Sequence, residues 1–139
     1  MLEELPTLST LDELVDLAEA AGPLFIRYSE GPEEDRCRRS IDYESGLELP
    51  GLSVNPLRPE PWWTRPLRHW VARQLCAYAH IGEQGSKVPW VLTGKVIGRG
   101  PDNEPLLGPF EPMAFLSESL VEEARTVYEA DFDVGGRET

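Results

Sequence analysis

Proline places the strongest constraint on this chain. Between Gly51 and Trp70 the sequence GLSVNPLRPEPWWTRPLRHW has prolines at 56, 59, 61 and 66. Each fixes its own φ and removes a backbone donor, so the approach to the following helix is stiff and the side chains it carries are held in place. Those side chains are unusual. Trp62, Trp63 and Trp70 stand beside Arg58, Arg65, Arg68, His69 and Arg73, with Glu60 as the single acid, in a chain whose net charge is −12. A positive spot in a negative protein can attract one compact anion, but a long polyanion would be repelled by the flanking surface. The same residues also suit a structural role, with indoles capping the core and arginines lying over it with their heads in water.

A chain of 139 residues is expected to form one domain over 1–139 and to bury a real core. No apolar run approaches the roughly 20 residues needed to cross a bilayer. The start, MLEELPTLSTLDEL, has acids where a secretory leader needs basic residues, which points to a cytoplasmic protein. Cys37 and Cys76 follow no metal-ligand spacing and read as free thiols. His69 and His80 fit no zinc motif, so no metal is expected. The acidic balance argues against nucleic acid and anionic membranes, and suits docking on a basic protein partner.

Along the chain, Thr10 and Glu13 have capping-box spacing. Leu11, Leu14, Val15, Ala18 and Ala21 then recur on one helical face until Gly22-Pro23. Residues 24–29, LFIRYS, read as a strand in which Arg27 must reach solvent, an acid or a ligand. Residues 30–46 read as a loop, with the mixed-charge run EGPEEDRCRRS as a solvated surface. Residues 47–54 read as a strand broken by Pro50-Gly51. Pro66 opens a second helix with Leu67, Trp70, Val71, Leu75, Tyr78 and Ile81 on its apolar face. Residues 90–97, WVLTGKVI, are the clearest strand, followed by a turn and a short edge strand at 104–107, because Pro105 excludes a central one. The last helix begins near Ser117 or Ser119, the latter with Glu122 at capping-box spacing. The pattern is α+β: a small, mostly antiparallel sheet packed with about three helices.

Three residues stand out as candidate chemistry. Arg27 on the first strand can grip a phosphate with its planar fork. Ser53 can orient a ribose. Glu104, next to Pro105 at the end of the clearest strand, can accept a ribose hydroxyl and act as the catalytic carboxylate. With Trp62, Trp63, Arg68 and His69 they would line one cleft for a small anionic, nucleotide-like ligand. The order Arg27 in LFIRYS, Ser53 in GLSV and Glu104 in PDNEPLL resembles the Arg–Ser–Glu pattern of the ADP-ribosyltransferase superfamily. That resemblance implies NAD as cosubstrate and ADP-ribose transfer. Leu52 and Val54 depart from it, standing where that superfamily often has hydroxyl residues. Over its whole length, through IRYSEGPEED, LPGLSVNPLRPEPWWTRP and VIGRGPDNEPLL, the chain is similar to a small bacterial family without an established activity. The competing expectation is a non-catalytic interaction or inhibitor protein, with acidic helices and tryptophan anchors docking on a basic partner.

Overall fold

The computed structural model describes residues 5–37, 40–41, 44–77, 87–101 and 103–131. The expectations for Tyr78, His80 and Ile81 fall outside these residues. In chain order the elements are β1 (Thr7–Leu8), α1 (Leu11–Ala20), β2 (Phe25–Ser29), α2 (Pro32–Cys37), β3 (Leu52–Ser53), β4 (Asn55–Pro56), α3 (Leu67–Ala77), β5 (Val88–Arg99), β6 (Pro105–Leu116) and α4 (Glu118–Asp131). The class is α+β, as the sequence pattern implies, with four helices among the described residues rather than three. No helix among them is long and apolar enough to cross a membrane.

The helix starts follow from side-chain capping. Thr10 Oγ1 accepts from the Glu13 N–H and Glu13 Oε1 accepts from the Thr10 N–H, completing the expected box. Gly22, at φ 74°, takes the left-handed conformation that ends α1. For α4 the cap is Ser117, whose Oγ accepts from the Leu120 N–H at 3.1 Å. Ser119, the alternative, instead donates its hydroxyl to Ser9 O. The choice is made by β6, which runs to Leu116 and leaves Ser117 as the first residue free to cap.

A carboxylate on α4 also caps α1. Glu123 Oε1 accepts from the Leu11 N–H at 2.8 Å, and its other oxygen meets Arg68 of α3 at 3.0 Å, while Arg68 also pairs with Asp12. Three helices are thus tied at one point. The Leu11 N–H above all holds the Glu123 carboxyl below its ordinary value; burial opposes it, and the Arg68 guanidinium adds to the lowering. The folded-state value is therefore lower than the unfolded one. The stabilisation is complete above the unfolded-state range and is lost as pH falls through the folded-state value. Glu123→Gln is expected to cost about 1 kcal/mol at neutral pH, the low end for a lost helix cap because the side chain is a third exposed. Urea melts at pH 7 and in the acid limb should show that deficit shrinking as pH falls.

The sheet is mixed, in the order β1-β6-β5-β2-β4, with β3 joining β6. Only the β1–β6 pairing is parallel among those described. One stretch of chain joins two of its margins: Leu52 and Ser53 pair with Leu107 and Leu106, and two residues later Asn55 and Pro56 pair with Ile26 and Phe25. The sheet therefore curls back on itself. Side chains alternate across it. Ile26, Tyr28, Val91 and Ala114 face the layer formed by α1, α3 and α4. Phe25, Trp90, Leu92, Leu52, Val54 and Leu107 fill the inside of the curl. Gly51 and Gly94 permit the close approach, since a Cβ at either would lie 2.6–2.7 Å from a backbone oxygen of β6.

Three local expectations need correction. Residues 30–46 include a short helix, α2, and its Asp35 turns inward to meet Arg27, so the charged run is not simply a solvated surface. The 47–54 strand is confined to Leu52–Ser53, with an isolated bridge from Glu48 to Ile41 before it. The supposed edge strand at 104–107 is the start of a twelve-residue strand in the middle of the sheet. Pro105 is tolerated there as its first residue. Pro109 and Pro112 fall between the stretches of β6 paired with β3 (106–107) and with β1 (115–116), where β5 is the described neighbour.

Candidate functional site

Ser53 and Glu104 come together. The β5–β6 connection brings them there. Gly100 N–H donates to Glu104 O, Asn103 N–H donates to Gly100 O, and Asn103 closes the turn at φ 63°, a conformation asparagine tolerates. Glu104 therefore folds back rather than projecting from the tip. Ser53 Oγ donates to its Oε2 at 2.6 Å. Gly100 lies so close to this carboxylate that a Cβ there would collide with it. The backbone of Ser53 is fixed as well. Its N–H donates to Ser40 Oγ (3.0 Å), and its carbonyl accepts from a terminal nitrogen of Arg27 (2.7 Å).

Arg27 thus stands behind Ser53, and its charge is already matched. Its Nε donates to Asp35 Oδ2 at 2.7 Å in a mostly buried ion pair. Ser29 Oγ donates to the same oxygen at 2.6 Å and accepts from the Trp90 indole N–H at 2.9 Å. Every polar group in this network therefore has a partner, which is what burial inside the curl demands. Arg36, next in α2, lies over the Phe110 ring at 5.7 Å.

A cleft of about 490 Å³ opens on the other side of Ser53. Ser53, Asn55 and Pro56 form one wall, Trp70 and Gln74 of α3 a second, and Arg99, Asn103, Glu104 and Pro105 a third, with Glu60 at the connector. Trp70 and Gln74 are fixed by donating to Pro56 O, at 3.4 and 2.8 Å. The lining is rich in amides, hydroxyl and carboxylates, and Arg99 is the one cation among the described residues that form it.

The remaining expected site residues are placed differently. Trp62 and Trp63 stack edge-to-face with Trp70 and with each other, at centroid separations of 5.1–6.2 Å, and Arg73 sits over Trp63 and Trp70. Trp70 is buried whereas Trp62 is 64% exposed. Arg68 points to the opposite side of α3, into the junction with Asp12 and Glu123. His69 lies in the first turn of α3, its N–H donating to Pro66 O. Neither lines the cleft. Asn55, Gln74 and Arg99 do, and sequence reasoning missed them. No motif marks them, since isolated amides and a strand-end arginine acquire meaning only when the sheet curls.

Thiol chemistry has little support at Cys76, where burial pushes the thiol up and keeps it neutral. Burial likewise pushes the Tyr28 phenol up, and its hydroxyl donates to Leu75 O. Among the described residues no group of three or more His, Cys, Asp or Glu side chains could hold a metal ion.

No curated protein and no solved structure matches this sequence, and nothing in these comparisons supports a relation to ADP-ribosyltransferases. A family model does match, over residues 1–138, and it is described as a family of unknown function. The chain belongs to that family, DUF6098.

Proposed function

We propose that this protein binds a small, hydroxyl-rich ligand, with a ribose-like ring held at Glu104 and Ser53. The observation that carries this reading is the 2.6 Å Ser53–Glu104 hydrogen bond on the wall of the cleft. A carboxylate already oriented by one hydroxyl is a ready acceptor for a second, and the amides of Asn55 and Gln74 can complete recognition of a polyol. The charge balance refines the anionic ligand expected from the sequence. Arg27 and Arg68 are held by carboxylates, so among the described residues of the lining Arg99 is the group placed to meet a phosphate. ADP-ribose transfer from NAD is the most specific form of this reading. It requires Arg27 to leave Asp35 for the ligand.

Thermal-shift measurements with ribose 5-phosphate, nucleoside monophosphates and NAD test this directly, because a ligand that binds the native state raises the melting temperature. At least one sugar-bearing compound should stabilise the protein, and Glu104→Gln should weaken its affinity about ten-fold, the loss of one charge-assisted hydrogen bond. No shift with any of them at millimolar concentration would sink the reading. The exposure of Trp62 favours a second reading, an anchor for a basic protein partner. In that case Trp62→Ala, and not Glu104→Gln, should abolish complex formation.

A further inference from the structure

We propose that Trp62 is a stacking platform for a planar aromatic base, which makes the ligand of the cleft a nucleoside or nucleotide rather than a free sugar. This rests on the reading that Ser53 and Glu104 hold a ribose. Glu60 and Trp70 both line the cleft, and Trp62 follows Glu60 by two residues, with its ring 6.1 Å from that of Trp70. Trp62 is not itself in the lining, but this 64% exposed indole packs directly on Trp70, which is.

Its setting is stiff. Trp62 meets Trp63 and Trp70 edge-to-face at interplanar angles of 65° and 70°. Trp63 is fixed in turn, its N–H donating to Glu60 O at 2.9 Å and its indole N–H to Pro66 O at 3.3 Å. Pro59, Pro61 and Pro66 restrict the connector on both sides. An exposed ring held in this way loses little conformational freedom when a base settles on it, so stacking energy is realised almost in full. The volume of the cleft lies within the roughly 300–1,000 Å³ range typical of small-molecule sites.

Calorimetric titration with AMP, GMP, UMP and ribose 5-phosphate, alongside tryptophan fluorescence, tests the platform separately from the sugar site. At least one monophosphate should bind about ten-fold more tightly than ribose 5-phosphate and quench the fluorescence. Trp62→Ala should erase that preference and leave ribose 5-phosphate affinity unchanged, while Trp62→Phe should retain most of it. Equal affinity for ribose 5-phosphate and every monophosphate, or undiminished preference in Trp62→Ala, would overturn the platform and leave the sugar site standing. Binding of none of these compounds would overturn both.

Discussion

Trp90→Ala is expected to destabilise the protein by about 3–5 kcal/mol, a large share of the roughly 5–15 kcal/mol available to a domain of this kind. Trp90 is fully buried inside the curl, where it packs with Phe25, Leu92 and Leu107. Its indole N–H is also the donor that reaches Ser29. Truncation would leave a cavity that the paired strands around it cannot collapse to fill, and would strip Ser29 of a partner. Trp90→Phe separates the two effects: it keeps much of the volume, loses the hydrogen bond, and should cost about 1–2 kcal/mol. Urea denaturation measures both. A loss below 1 kcal/mol for the alanine variant would mean that the inside of the curl is not a packed core.

Breaking the pair beneath Ser53 should be nearly as damaging. Asp35→Ala leaves the Arg27 guanidinium uncompensated in a site where the two side chains are 9% and 20% exposed, and such a loss costs about 3–5 kcal/mol. Removing both charges is a different experiment. The double variant Arg27→Met, Asp35→Leu should recover most of that loss, because an apolar pair of similar size avoids the unpaired charge. If the single and double variants are equally unstable, the pair is not the source of the loss. The same melts, repeated with any ligand found for the cleft, would show whether Arg27 also sets the position of the Ser53 backbone.

Local chemistry was legible in the sequence wherever one segment decides its own structure. The Thr10–Glu13 cap, the stripe of α1 and the core of β5 follow from spacing alone. What the sequence did not reveal depends on neighbours distant along the chain. Pro105, Pro109 and Pro112 argue against a central strand until it is known that β3 and β1 pair only with the ends of β6. Asp35 looks like one acid in a charged run, although the need of Arg27 for a partner within an apolar strand was itself the clue. Of the candidate site, Ser53 and Glu104 were found as residue types suited to a ribose. Asn55, Gln74 and Arg99 carried no such signal. Arg68 was the opposite case, a cation beside tryptophans in sequence that turns the other way because residues two apart lie on opposite sides of a helix.

The joining of two sheet margins by residues 52–56 also has a kinetic consequence. Ser53 stands 26 residues from Arg27 and 51 from Glu104 along the chain, whereas the β5–β6 hairpin closes over a short turn. Chain entropy favours the hairpin early and the seam late. Each side of that seam is only two residue pairs long, as is the β1–β6 pairing, so it is among the parts of the sheet held by the fewest ladder bonds and opens more readily than the β5–β6 hairpin. The cleft is thereby built on the last seam to zip, and whatever occupies it would act as the clasp.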